Sequence, residues 1–222
     1  MMLKDNVEQI RNILQEESKA WGRVPRLIAV TKFATVEQIL ALHELGITDI
    51  GENKVQVLRE KLPRLEGKFS IHLIGRLQSN KVKYIIEDVC LIHSLDRMSL
   101  AQEIDRQAQL HHKRMDVLVQ VNIAGEEQKG GLPPEEVIPF LRACSALPGL
   151  QVKGLMAIMP LEATREELDG YFAGMKQLFD RCAEEKIENI QMQELSMGMS
   201  RDFDLAARHG ATMVRVGSRI FQ

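Results

Sequence analysis

The sequence holds only three cysteines in 222 residues, Cys90, Cys144 and Cys182. They are widely spaced, odd in number and set among apolar neighbours. Neither a disulfide frame nor a paired Cys-x-x-Cys zinc site is expected, and all three read as reduced core thiols. The net charge of −2 supplies no attraction for nucleic acid or an anionic membrane surface. No stretch approaches the ~20 apolar residues of a membrane span. The opening residues, Met1-Met2-Leu3-Lys4-Asp5-Asn6, lack the apolar core of a secretory signal. A soluble, cytoplasmic chain is the expectation. Also missing are a Walker-type loop, a His-Glu-x-x-His pair and a dinucleotide-binding glycine fingerprint. Leu195-Ser196-Met197-Gly198 approaches a nucleophile elbow, but Glu194 stands where the first glycine belongs, so a hydrolase is excluded.

What is present is the balance of a globular domain, with 45% apolar and 27% charged residues. Residues 3–20 read as an amphipathic helix with Val7, Ile10, Ile13 and Leu14 on one face. Short apolar runs then alternate with helical stretches. Strands are predicted at 26–32, 49–51, 70–75, 91–94, 116–123, 152–158, 192–196 and 213–217. Runs such as Leu27-Ile28-Ala29-Val30 suit parallel strands covered on both faces. Thr35 with Gln38, and Thr164 with Glu167, have the spacing of capping boxes. Pro133 and Pro134 suit the first turn of another helix. Eight strand–helix alternations in this length predict one α/β domain over residues 1–222, a (β/α)8 TIM barrel with an extra N-terminal helix. The alternative, an open doubly wound sheet, usually has a glycine-rich first turn, and Thr31-Lys32-Phe33-Ala34 has no glycine.

Barrel chemistry sits at the C-terminal strand ends, and here those ends are polar. Lys32 closes the first strand. A lysine amine attacks a carbonyl only when neutral, and desolvation at a barrel mouth favours that form. The competing reading is a solvated lysine at a helix start. In Val214-Arg215-Val216-Gly217-Ser218, glycine lets the backbone approach an anion, and the Ser218 hydroxyl adds a donor. Ser200 is expected to cap a helix beginning near Arg201 and so add a second set of donors. A plain turn and a plain cap are the competing reading. Asn53 either bonds a ring substituent or caps the following helix, and position favours the cap. Gln120 and Asn122 share a strand face. His72 reads as a satisfied core residue. His111-His112 lacks metal-ligand spacing and reads as surface. No metal site is expected.

The runs Ala29-Val30-Thr31-Lys32, Gly51-Glu52-Asn53, His72-Leu73-Ile74-Gly75-Arg76-Leu77-Gln78-Ser79-Asn80-Lys81, Gly154-Leu155-Met156, Leu195-Ser196-Met197-Gly198-Met199-Ser200 and Val214-Arg215-Val216-Gly217-Ser218 resemble the pyridoxal phosphate homeostasis protein family. They lie in order across nearly the whole chain. The resemblance implies a monomeric barrel similar to the N-terminal domain of alanine racemases, with pyridoxal 5′-phosphate as a Schiff base on Lys32. It further implies that Arg215 faces the pyridine nitrogen, that Ser200, Gly217 and Ser218 hold the phosphate, and that Asn53 and Met156 lie near the ring. An arginine there disfavours a protonated ring nitrogen and weakens the ring as an electron sink. Racemisation needs a second acid/base, and neither Tyr84 nor Tyr171 lies near a predicted strand end. The implied role is to carry or buffer the cofactor and support vitamin B6 and amino-acid balance, in transient contact with apo-enzymes and without established turnover. The alternatives are a racemase of low activity and a cofactor-free aldolase acting through Lys32. Against the family pattern, Ile71 and Lys54 replace aromatic residues and Arg76 replaces a histidine, which points to an altered site rim.

Overall fold

The computed structural model describes residues 2–65, 67–126 and 130–222. Among them, eight parallel strands close into a barrel in sequence order. They are β1 (Arg26–Val30), β2 (Asp49–Glu52), β3 (Ser70–Leu73), β4 (Leu91–Leu95), β5 (Met115–Val121), β6 (Leu150–Ala157), β7 (Ile190–Met199) and β8 (Met213–Val216). The helices are α1 (Met2–Glu17) before the first strand, α2 (Val36–Glu44), α3 (Val55–Leu65), α4 (Met98–Leu110), α5 (Pro134–Cys144), α6 (Arg165–Glu184), α7 (Phe203–Arg208) and a last short turn, α8 (Ser218–Phe221). The β3–β4 crossover is a 3-10 segment, Ser79–Tyr84, where a full helix was expected. The barrel and its leading helix are as the sequence predicted. The main boundary difference is β7, which runs three residues further at its C-terminal end, to Met199.

Both capping boxes form. Thr35 accepts from the Gln38 amide and Thr164 from the Glu167 amide, with the reciprocal side-chain bonds in place. Gly46, at φ +72°, stops the chain after α2. Pro133 and Pro134 fill the N-cap and first turn of α5. The leading helix ends earlier than 20 because Ser18 turns its hydroxyl back onto the Leu14 carbonyl. Its Val7, Ile10 and Leu14 are buried, and Asn6 holds the Ile220 carbonyl of α8.

Alternation of side chains sorts the apolar residues into two cores. The larger lies between sheet and helices and includes the α6 stripe Phe172, Met175, Leu178 and Cys182. The smaller, Ile28, Leu91, Leu118, Met156 and Met213, fills part of the barrel lumen. Ile71 belongs to the outer core, so its difference from the family pattern alters helix packing and leaves the rim untouched. Cys144 and Cys182 are core thiols as expected, but Cys90 is exposed just before β4, its sulfur donating to the Ile71 carbonyl at 3.2 Å. It falls one residue ahead of the strand, where no helix covers it.

Truncating Phe172, which is fully buried, to alanine is expected to cost about 3–5 kcal/mol, against ~1 kcal/mol for Thr164→Ala. Urea denaturation of the two variants measures both.

Candidate functional site

The most demanding group in the lumen is Arg215 on β8. Its guanidinium is buried, and burial pushes its pKa down to about 10, partly opposed by the charge of Asp202. A buried cation is tolerated only when its donors are met. Arg215 Nη1 donates to Ser196 Oγ at 2.6 Å and Nη2 to the Ala157 carbonyl, at the end of β6, at 2.8 Å. Its other N–H groups have no partner among the described residues.

Beside Arg215 the chain turns at Gly217. The amides of Gly217 and Arg219 converge on Ser200 Oγ at 3.1 and 3.5 Å. Ser200 does not cap a helix, contrary to expectation. Asp202 is the residue before α7, and its carboxylate takes the Met199 amide at 2.5 Å, which closes the turn and sends Ser200 across to β8. What the sequence suggested as two separate donor sets is one cradle, built by the β7 and β8 ends together. Gly198, at φ +90°, permits this approach, since a Cβ there would lie 2.5 Å from the Ala206 Cβ.

Next to this turn, since β1 pairs with β8, Lys32 follows β1 in a turn and is exposed, its Nζ 4.9 Å from the ring centre of Phe33. The burial anticipated for Lys32 is absent, since its side chain stands exposed above a buried Thr31. The strand end beneath it is rigidly held. Lys61 donates to the Thr31 carbonyl and to Glu52, both at 2.7 Å, and Thr31 donates its hydroxyl to the same Glu52 oxygen at 2.7 Å. Asn53 does not cap α3, which begins at Val55. Its Oδ1 is buried without a hydrogen-bond partner. Gly75 sits against it so closely that a Cβ would fall 2.2 Å from the Asn53 carbonyl. Met156 is fully buried in the lumen.

The family profile described as "Alanine racemase, N-terminal domain" matches residues 2–222. A pyridoxal phosphate homeostasis protein of Aquifex aeolicus is 39% identical over 221 residues, 96% of either chain. One from Haemophilus influenzae is 35% identical over 217 residues, covering 96% of this chain and 91% of that one. The chain belongs to the pyridoxal phosphate homeostasis protein family. Among solved structures, PipY of Synechococcus elongatus PCC7942 with PLP bound is 31% identical, with a TM-score of 0.88 over 99% of this chain and 100% of that one. An alanine racemase of Clostridium difficile 630 is 17% identical, with a TM-score of 0.78 over 99% of this chain and 56% of that one. That likeness shows the fold alone.

In this homeostasis-family chain the rim differences fall on one cleft of about 1240 Å³ beside Asn53, lined by Lys54, Arg59, Arg76, Lys81 and Tyr84 among others. Lys54, Arg59, Arg76 and Lys81 make no ion pair with a described carboxylate, and with Glu60 also lining the cleft its lining carries a net positive charge. Gln120 and Asn122 serve the backbone. Gln120 donates to the Gly130 carbonyl, and Asn122 bridges the Glu126 amide and carbonyl. His72 is buried and satisfied as expected, between Asp49 and His93, each at 3.0 Å. Sequence reasoning passed over His93 and treated Ser196 only as a failed nucleophile. The available signal was polar residues on the lumen face of otherwise apolar strands. His111 and His112 are exposed, and no cluster of three or more metal-ligating groups occurs among the described residues.

Burial, with His72, Arg215 and Arg26 nearby, holds the His93 pKa well below its ordinary value. The unfolded chain protonates this residue below about pH 6.5 while the folded chain does not, so the unfolded state binds more protons there. Stability is therefore expected to fall with pH below about 6.5, by up to ~1.4 kcal/mol per unit from this group. Urea midpoints at about pH 7 and 5 for the parent and His93→Gln check this, the variant losing that part of the slope.

Proposed function

We propose that this chain binds pyridoxal 5′-phosphate as a Schiff base on Lys32 and carries or buffers it without turnover, as one monomeric barrel domain of residues 1–222 in the cytoplasm. PLP-dependent apo-enzymes are its transient partners. The reading supports a role in vitamin B6 and amino-acid balance.

The residues fit the group. Lys32 supplies an accessible amine at the mouth. Ser200, Gly217 and Ser218 supply the phosphate cradle, in which two amides already meet one oxygen. Asn53 brings an orphaned buried oxygen, and a side-chain amide can present either its acceptor or its donors to a ring substituent. Met156, fully buried in the lumen core, supports the site from within and presents no accessible surface. When bound, pyridoxal phosphate supplies an aldehyde for an amine and a ring that withdraws electrons best once its nitrogen is protonated. The observation that carries the reading is Arg215. It is donor-only, buried and charged, so opposite the ring nitrogen it accepts no proton from it and opposes its protonation. That choice favours storage over catalysis.

The test is an absorbance spectrum of the purified protein, then borohydride reduction and peptide mass mapping. A visible-range band and a pyridoxyl phosphate adduct on Lys32, both lost in Lys32→Ala, are expected. A protein left colourless and unlabelled by added pyridoxal phosphate overturns the reading. Transfer of the bound cofactor to an apo-enzyme, with no deuterium entering amino-acid α-positions from solvent, separates a carrier from a weak racemase.

A further inference from the structure

Below Arg215 a line of hydrogen bonds runs the length of the lumen. Ser196 Oγ on β7 lies 3.1 Å from His93 Nδ1 on β4, His93 Nε2 lies 3.0 Å from His72 Nδ1 on β3, and His72 Nε2 lies 3.0 Å from Asp49 Oδ1 at the start of β2. Ser196, His93 and His72 are at most 1% exposed. Arg26 anchors the lower end, reaching Asp49 at 3.4 Å and Glu194 at 2.6 Å, and Thr48 donates to the second Asp49 oxygen at 3.0 Å. The line thus joins a buried cation near one mouth of the barrel to an anchored carboxylate at the other.

Its direction follows from donor and acceptor chemistry. Burial opposes ionisation of Asp49, but the hydrogen bond from His72 leads the effects that outweigh it and hold the carboxyl below the usual range. An ionised carboxylate only accepts, so His72 carries its proton on Nε2. With that one proton on His72, its Nδ1 accepts, which places the His93 proton on Nε2. His93 Nδ1 is left as an acceptor, and the hydroxyl it can accept from is Ser196. With its proton committed downward, Ser196 turns a lone pair to Arg215. Each link polarises the next in a low-dielectric interior.

We propose that His72, His93 and Ser196 are positioning residues for Arg215: a one-way donor line, set by Asp49, that fixes the guanidinium plane and leaves its unpartnered N–H groups aimed at the bound ring. The claim about Arg215 and the ring rests on the pyridoxal phosphate reading. The claim about the line does not. An extra proton on the histidine pair would turn His93 Nδ1 into a donor toward Ser196 and remove the acceptor to which that hydroxyl is committed. Burial disfavours that proton, as do the charges of Arg215 and Arg26, and His72 is the titratable neighbour that would share it.

Long-range nitrogen–proton NMR of the cofactor-free protein with labelled histidines tests the line first. In the parent, His72 and His93 are both expected as neutral Nε2–H tautomers at neutral pH. Asp49→Asn removes the acceptor-only end, so it is expected to mix the tautomers of His93, a residue Asp49 does not touch. An Nδ1–H or cationic His93 in the parent, or a His93 signal unmoved in Asp49→Asn, overturns the proposal. Pyridoxal phosphate titration then tests the consequence. Ser196→Ala and His93→Leu are expected to weaken binding about tenfold and to alter the pH dependence of the visible band. His93→Gln, which can both donate and accept, restores most of the loss. Parent-like affinity and band in Ser196→Ala overturns the positioning role, and that variant serves if His93→Leu does not fold. If the parent itself binds no pyridoxal phosphate, the cofactor reading fails while the NMR result still decides the line.

Discussion

The structure depends on a requirement that any closed barrel imposes: a polar group in the lumen must be satisfied by other strands, because no helix and little water reach it. Arg215 is the severe case. Its two bonded nitrogens are met by a side chain of β7 and by the terminal carbonyl of β6, so one residue ties three consecutive strands at the mouth. The β7–β8 register shifts between Ser196 and Met199. That irregularity lets Ser196 stay inside on the Arg215 side while Ser200, four residues later, reaches the β8 turn. The lumen network and the Ser200–Gly217 turn are two ends of one local deviation from regular pairing.

The two sides of the mouth are built on different principles. The β7–β8 side is assembled inward, from buried donors that are already engaged. The β1–β2 side has Lys32 exposed above a buried ionic knot of Glu52, Lys61 and Thr31, so the strand end is rigid while the side chain above it is free. Engaged donors on β7 and β8 thus stand beside an exposed amine on the neighbouring strand β1.

Much of this was legible in the sequence. The strands appear because apolar runs of the right length alternate with capped helices, and the capping pairs at Thr35 and Thr164 gave independent start points. Lys32, Arg215, Gly217 and Ser218 could be placed because the C-terminal end of a barrel strand is a position that strand prediction locates. What could not be read is whatever depends on partners distant in sequence. Ser200 looked like a cap because serine before a helix usually is one, yet the turn made by Asp202 delivered it to Gly217 instead. His93 looked like part of an apolar strand because its partners, His72 and Ser196, stand 21 and 103 residues away. The exposure of Cys90 turned on a single residue of strand boundary.

The thiols bear on chemoselectivity. Burial raises Cys182 to about 11 and Cys144 to about 12, and at Cys90, an exposed residue whose sulfur is tucked against the Ile71 carbonyl, local desolvation and the Asp49 charge give about 11. Near neutral pH roughly one in ten thousand of the two lower-pKa thiols is therefore a thiolate, and still fewer of Cys144. Thiolates compete with amines for carbonyl groups, so a protonated thiol leaves a nearby amine unopposed. With these three side chains protonated, an amine at the mouth meets no sulfur nucleophile of its own chain competing for a carbonyl.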